Sequence, residues 1–273
     1  MARLNYFKNK PKAIPINTQA YLDRLGISAA QPDLRFLRTI HRSHLLKIPF
    51  ENLDVHYGQK IILDIDKIFA KIINQKRGGV GFELNGLFYH LLSKLGYDAH
   101  ILSCHVFQDG SYSPDFEHMV ILVNLDGDQY LCDVGFGGLI TIPKKLTLRQ
   151  AQLDYTLYYK FEKNPDDEWI LMSSKDNSVF QSVYKFVLEP RELIQFIPRC
   201  NQLQDLPDSK WKKAKFISQQ FHEGRITLTD RLLTKQLFGE TQQKHILNED
   251  EFHTKLKEHF DIDFKELINQ KFD

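Results

Sequence analysis

The hydrophobic pattern of this chain changes its period at Gly96. Before that glycine the clearest stretch places apolar residues at helical spacing, namely Leu84, Leu87, Phe88, Leu91, Leu92 and Leu95. Glycine readily adopts the left-handed conformation that ends helices, so Gly96 marks the end of this one. Beyond it, apolar residues follow the spacing of strands. The change predicts an α+β fold with a helical N-terminal part, a β-rich centre and an α/β C-terminal part.

Other helices are predicted on both sides of this boundary. Before it, one helix begins near Asn17 and ends at Gly26, a second runs from Pro32 to Pro49, and a third covers about residues 64–74. Near the C-terminus, Asn248 is an N-cap candidate for a last helix, because three acidic residues follow it.

The centre of the chain reads as a series of strands. Extended segments are predicted at 97–107, 117–123, 129–134, 156–162, 168–173 and 179–187, and another in the tail at 225–229. Asp126-Gly127 has the composition of a two-residue hairpin loop. This turn sets the register of the two strands that flank it.

Composition excludes several classes of protein. The 273 residues carry 36 Lys and Arg against 35 Asp and Glu, so the charge predicts no nucleic-acid or membrane partner. No apolar run approaches the roughly 18 residues of a membrane span, and the basic N-terminus lacks the apolar core of a secretory signal. Cys104, Cys132 and Cys200 form no C-x-x-C pair. We therefore expect no disulfide framework, no metal site and a reducing, cytoplasmic location.

Gly81 occupies a chemically favourable position at the start of the patterned helix. It lies three residues before Leu84, on the buried side of the helix, and follows the flexible pair Gly78-Gly79. A thiol at a helix N-terminus has a lowered pKa, because the free N–H groups and the helix dipole stabilise its anion. The side chain here is a hydrogen. Gly81 is therefore either part of a flexible helix entry or a nucleophile position without its nucleophile.

His118 and Asp133 are predicted to meet on one face of the central hairpin. If Asp126-Gly127 forms the turn, residue 125 pairs with 128 and residue 120 with 133, which makes His118 and Asp133 diagonal neighbours. A histidine and an aspartate on a buried hairpin are costly unless they pair. They are either a structural pair or a catalytic base with its orienting acid. Cys132 points to the opposite face, and Cys104 and Cys200 are expected to be packing residues.

These motifs together resemble the arylamine N-acetyltransferase family. The resemblance covers nearly the whole chain, and the intervals of 37 residues from 81 to 118 and 15 residues from 118 to 133 fit it. The matching segments are Ile48 to Leu53, Arg77-Gly78-Gly79 with Glu83, Asn85, Leu87 and Phe88, then His118, Asp128 to Gly138, Gly224 to Leu228, and Gly239-Glu240.

The resemblance implies a papain-like, cysteine-hydrolase-type core. A helical bundle is expected at residues 1–96, a β-barrel with His118 and Asp133 at 97–200, and an α/β lid at 201–273. The family uses a Cys-His-Asp triad to move acetyl groups from acetyl-coenzyme A to arylamines or hydrazines by a ping-pong route. His118 would be the base and Asp133 the orienting acid, while Gly81 would occupy the nucleophile position.

The resemblance also suggests where the ligands bind. Phe107, Phe136, Gly137 and Gly138 are expected to contact coenzyme A, and Phe50 the acceptor. Because glycine cannot form an acetyl-enzyme, we expect ping-pong activity to be lost or very low. The alternatives are a non-covalent acyltransferase or thioesterase that uses His118, and a non-catalytic protein that binds coenzyme A or an aromatic ligand or acts as a scaffold. No oligomeric state follows from the sequence.

Overall fold

The structure, a computed structural model, describes residues 17–137, 140–155 and 157–263. Its helices are α1 (Thr18–Leu25), α2 (Leu34–Lys47), α3 (Leu53–His56), α4 (Ile65–Phe69), α5 (Gly81–Lys94), α6 (Ile197–Asp205), α7 (Lys210–Lys213) and α8 (Glu249–Phe260), with a π-helical turn at Ala70–Asn74 and a 3-10 turn at Leu193–Phe196. Its strands are β1 (Phe50–Glu51), β2 (Asp98–Gln108), β3 (Ser111–Tyr112), β4 (His118–Leu125), β5 (Asp128–Cys132), β6 (Lys144–Lys145), β7 (Gln152–Asp154), β8 (Leu157–Lys163), β9 (Trp169–Ser174), β10 (Gln181–Phe186), β11 (Phe216–Gln220), β12 (Gly224–Thr229), β13 (Leu232–Leu237) and β14 (Glu240–His245).

Most of the predicted helices are confirmed. Asn17 caps α1 and Asn248 caps α8 through their side-chain oxygens, and Gly96 has the left-handed φ of 91° just after α5. The third helix differs from the prediction. It is α-helical only to Phe69, and the following π-helical turn at Ala70–Asn74 continues it with wider hydrogen-bond rings.

The central sheet is almost closed into a barrel. Its strands follow the order β6-β5-β4-β2-β10-β9-β8-β7, each antiparallel to its neighbours, and β3 pairs with β2. Gln152 joins the two outer strands, because its side chain accepts from the Lys145 N–H at 2.9 Å and donates to the Lys145 carbonyl at 2.8 Å. An ion pair of 2.5 Å between Lys144 and Asp154 reinforces this closure. The predicted α+β class with a central barrel is confirmed.

Strand β4 is buried on both faces, which explains its nearly continuous apolar sequence. Met119, Ile121 and Val123 pack with the helices, whereas Val120 and Leu122 point into the barrel with residues of β8, β9 and β10. Successive side chains of a strand point to opposite faces, so one strand serves two cores. The site residue His118 stands at the first position of this strand.

A second antiparallel sheet and α8 form the C-terminal part. The sheet has the order β1-β11-β12-β13-β14, and its apolar face packs against Phe252, Leu256 and Phe260 of α8. Strand β1 lies in the predicted range 1–96 but pairs with β11 in the range 201–273. The three domain ranges stay a prediction. Of the helices in the described ranges, none is long and apolar enough to cross a membrane.

A buried network of charges holds the loop before α5. Arg77 donates to Glu51 at 2.9 Å and to Asp54 at 2.9 Å, and Lys71 pairs with Glu83 at 2.9 Å. Glu83 also accepts the Val80 N–H at 3.0 Å, which satisfies a free donor at the helix start. Burial alone would raise the pKa of Asp54, but the charges of Lys71 and Arg77 hold it at about 2. The network therefore fixes where α5 begins.

His41 of α2 links this helix to the segment that follows β5. Its Nε2 accepts the Asp133 backbone N–H at 3.1 Å, and its Nδ1 donates to the Thr141 carbonyl at 3.2 Å. A ring that accepts at one nitrogen is neutral. Burial of the fully enclosed imidazole lowers the pKa of His41 to about 4, which agrees with this neutral form.

We predict that Arg77→Met lowers the free energy of unfolding by about 3–5 kcal/mol, because it leaves Glu51 buried without its partner. Urea unfolding measures the loss. The matched control is Lys145→Met, which breaks a pair with Asp128 in which both side chains are more than two-fifths exposed. Because exposed ion pairs contribute little to stability, that change should cost far less than Arg77→Met. Equal losses in the two variants would contradict a stabilising role for the network.

We predict that His41→Gln makes the protein less sensitive to acid. Between about pH 6.5 and pH 4 the unfolded chain protonates residue 41 but the native state does not, so native stability falls as the pH is lowered. The shift corresponds to about 3 kcal/mol. Glutamine keeps a hydrogen-bond acceptor but does not titrate. Urea unfolding at about pH 7.5 and about pH 4 should show that much less loss in the variant, and an unchanged pH dependence would refute the assignment.

Candidate active site

Gly81 is the first residue of α5, and the preceding loop lies directly against β1. The Glu51 N–H donates to the Gly79 carbonyl at 3.0 Å, and Gly79 forms a parallel bridge with Phe50. A Cβ at Gly78 would lie 2.1 Å from the Pro49 carbonyl oxygen, so only glycine permits this approach. The loop therefore delivers Gly81 to a fixed, buried point at the positive end of the helix.

The hairpin brings His118 and Asp133 together as its register predicts. Leu125 pairs with Asp128 and Ile121 with Cys132, and Asp133 follows directly after β5. The His118 Nε2 lies 2.9 Å from the Asp133 Oδ2, and both side chains are buried. Because a carboxylate only accepts hydrogen bonds, Nε2 carries a proton, and in the neutral ring Nδ1 then holds the lone pair.

Three further groups donate hydrogen bonds to the Asp133 carboxylate. Its Oδ1 accepts from the Asn85 side chain at 2.9 Å and from the Gly135 N–H at 3.0 Å, and the Tyr184 hydroxyl donates to Oδ2 at 3.3 Å. Burial alone would raise the pKa of Asp133, but the His118 charge and the hydrogen bonds from His118, Asn85 and Gly135 lower it. The carboxylate is thereby kept ionised in a buried place.

The free nitrogen of His118 faces the start of α5. A Cβ placed on Gly81 would lie 3.3 Å from the His118 Nδ1 and 3.4 Å from its Cε1. Two aromatic rings flank the imidazole, with ring centroids 4.8 Å away for Phe136 and 5.7 Å for Tyr184. The arrangement puts a proton acceptor beside a helix N-terminus, as nucleophilic catalysis requires, but residue 81 supplies no nucleophile.

Gly81 and Gly135 are in backbone contact. The Gly135 carbonyl oxygen lies 2.8 Å from the position of a Cβ on Gly81, and a Cβ on Gly135 would lie 2.8 Å from the Gly81 Cα. A side chain at either position would therefore require the backbone opposite to move by a few tenths of an ångström. Glycine at 135 is required by this approach and not by a positive φ.

The cysteines in the chain are unsuited to replace a missing thiol. Cys104, Cys132 and Cys200 are all buried. Burial raises the pKa of the Cys104 and Cys132 thiols, and the nearby Asp133 charge raises both further. Burial raises the pKa of Cys200 to about 12. Reactivity belongs to the thiolate, so these side chains are inert packing residues.

Of the residues predicted to bind ligands, only some lie beside His118. Phe136 stacks beside His118, whereas the Phe107 ring packs on Tyr112 at 5.0 Å in the β2–β3 hairpin. Phe50 of β1 packs against Phe216, and Gly137, with a φ of 60°, has open space where a Cβ would point. Gly138 lies outside the described residues. Their ligand-binding roles stay predictions.

Three supporting residues were not predicted. Asn85 lies four residues after Gly81, so helical spacing alone places both on one face. His41 and Tyr184 reach Asp133 from α2 and β10, and no local pattern marks them. In the ranges that the structure describes, no group of three or more His, Cys, Asp or Glu side chains is arranged to hold a metal ion.

Comparison with known proteins shows which family the chain resembles. The family model described as N-acetyltransferase matches residues 33–268. The mouse protein named arylamine N-acetyltransferase 2 is 30% identical, over 82% of this chain and 84% of its own length. The solved arylamine N-acetyltransferase of Salmonella typhimurium is 29% identical, with 90% of each chain covered and a TM-score of 0.83.

A structure of the Mycobacterium marinum arylamine N-acetyltransferase in complex with coenzyme A is also similar. It is 26% identical with a TM-score of 0.83, and the match covers 92% of this chain and 94% of that one. The family model spans most of the chain and the relatives match it almost end to end. The chain therefore belongs to the arylamine N-acetyltransferase family.

Proposed function

We propose that this chain binds acetyl-coenzyme A and an arylamine-like acceptor, as its family does, but forms no acetyl-enzyme and transfers acetyl groups very slowly or not at all. The observation that carries the proposal is the His118 Nδ1, which lies 3.3 Å from where a Cβ of residue 81 would stand. A base and an orienting acid thus face a position that has no side chain.

The missing step is the covalent one. In the ping-pong route a thiolate attacks the acetyl carbonyl, the bond to the coenzyme A sulfur breaks, and an amine later attacks the acetyl-cysteine. Gly81 offers no atom for that first attack. In triad hydrolases, loss of the nucleophile costs on the order of 10⁶ in kcat, while the oxyanion site and substrate binding keep some rate. We expect the kcat of acetyl transfer here to be lowered by a factor of that order.

A second candidate is direct transfer without an acetyl-enzyme, because the His118 Nδ1 is free to accept a proton. An amine bound beside it would attack the thioester carbonyl while His118 takes the amine proton. The C–S bond would break, and the proton would pass to the departing coenzyme A thiolate. Water in place of the amine would make the same site a slow thioesterase. The free N–H groups at the start of α5 would stabilise the oxyanion.

A non-catalytic role is the third candidate. Such a protein would keep the fold and use it as a scaffold or to bind an aromatic ligand. Lack of binding to coenzyme A and acetyl-coenzyme A at millimolar concentration by calorimetry would favour a scaffold. The cytoplasmic location and the lack of nucleic-acid and membrane partners remain predictions from composition.

We predict that Gly81→Cys restores an acetyl-enzyme. The new thiol would lie beside the His118 Nδ1 and at the N-terminus of α5, and both lower its pKa. Intact mass spectrometry after mixing with acetyl-coenzyme A should show one added acetyl group. Gly81→Ala is the matched control, because it adds the same Cβ against the Gly135 carbonyl without a nucleophile. A folded Gly81→Cys variant that stays unacetylated would count against the proposed site.

We predict that His118→Ala removes any residual turnover of acetyl-coenzyme A while coenzyme A binding persists. The imidazole is the proton acceptor at position 81, whereas the coenzyme is expected to bind through other groups. Free thiol release reports turnover and calorimetry reports binding. If the variant and the unaltered protein release thiol at the same rate, the residual reaction does not use this site.

A further inference from the structure

A cleft of about 910 Å³ opens between the barrel and the C-terminal sheet. We call it the rear cleft. Its walls come from α2, from the segments before and after β7, and from β11 to β14, and the residues outside the C-terminal sheet are Arg42, Leu46, Thr141, Ile142, Leu153, Asp154, Tyr155, Leu157 and Lys175. Gly81, His118 and Phe136 are not among the residues that line it. Its volume is in the range of pockets that hold a small organic molecule.

The rear cleft carries an excess of positive charge. Arg42, Lys175 and Arg225 line it, together with the carboxylates of Asp154 and Glu223. Asp154 is already neutralised by the buried Lys144 at 2.5 Å, which leaves three cations against one carboxylate. Within the described ranges, Arg42 and Lys175 form no ion pair or hydrogen bond. Two cations without counter-charges in one cleft, Arg42 and Lys175, attract anionic ligands.

Aromatic rings stand at the mouth of the same cleft. Tyr155 is 55% exposed and Phe238 is 81% exposed, and the partly buried Phe221 lines the cleft between them and the sheet. A phenylalanine exposed to this extent gains apolar contact when a planar ligand covers it. The combination of cations and exposed rings suits a ligand that has an anionic group on an aromatic body.

The rear cleft is connected to the His118–Asp133 pair through His41. The carbonyl of Thr141, a wall residue, accepts a hydrogen bond from the His41 Nδ1, and the opposite nitrogen of His41 accepts the Asp133 N–H. Because neither Gly81 nor His118 lines the cleft, its ligand would be held by a different set of residues.

We propose that the rear cleft binds an aromatic phosphate, whose dianion matches the two uncompensated positive charges. The site is additional to the acetyl-transfer site and does not depend on its activity. Two sources share this chemistry: a free aryl phosphate or nucleotide, and the phosphate-bearing end of coenzyme A.

The test uses the full-length protein and the fluorescent probe 4-methylumbelliferyl phosphate, with binding followed by calorimetry. The double variant Arg42→Gln/Lys175→Gln should bind the probe at least about tenfold more weakly, because two charge-assisted contacts are lost. Lys94→Gln is the matched control, since this exposed cation is not among the cleft-lining residues, and it should bind normally. The uncharged 7-methoxy-4-methylcoumarin should bind at least about tenfold more weakly than the phosphate.

Further variants separate the possible outcomes. Phe238→Ala should also weaken the probe, and because this ring is exposed the variant should fold normally. Displacement of the probe from the unaltered protein by coenzyme A would identify the coenzyme as the source of the phosphate. No displacement would identify a free aromatic phosphate. Unchanged affinity in the double variant, or binding abolished only by Phe136→Ala, would overturn the proposal.

Discussion

The buried carboxylate of Asp133 is the charge around which the parts of this fold meet. It follows β5 and receives hydrogen bonds from β4 through His118, from α5 through Asn85 and from β10 through Tyr184. Helix α2 contacts the same residue through its backbone N–H and His41. An ionised group removed from water costs several kcal/mol unless each lone pair is satisfied. The positions of four elements are therefore coupled to one residue.

This coupling separates two roles that the His118–Asp133 pair can have. A purely structural pair needs only the Nε2 contact, and the direction of the other ring nitrogen is then irrelevant. Here Nδ1 points to the first residue of α5, beside the helix N-terminus. The buried ion pair of Arg77 with Glu51, and the hydrogen bond from the Val80 N–H to Glu83, hold that helix start in place. Fold stability and the geometry of the proposed site thus depend on the same contacts.

Features that depend on neighbouring residues in the chain could be predicted from the sequence. The period change at Gly96 located α5 and the first barrel strand, and the Asp126-Gly127 turn fixed the register that brings His118 to Asp133. Features that depend on distant partners had no local signal. Strand β14 is exposed throughout and polar, so no alternation marks it. Tyr184 reads as a core aromatic, and only the folded barrel shows that its hydroxyl reaches Asp133.

The position of a thiol, and not its presence, decides whether this fold can perform covalent catalysis. Cys132 immediately precedes the orienting acid in the chain, yet it faces the helical core, and burial and the Asp133 charge both raise its pKa. A residue at 81 meets the opposite conditions, since the helix N-terminus and the His118 ring both favour an anion there. The Gly135 carbonyl now packs against the Gly81 backbone, so a thiol there must first displace that carbonyl, and this displacement adds to the cost of regaining the nucleophile.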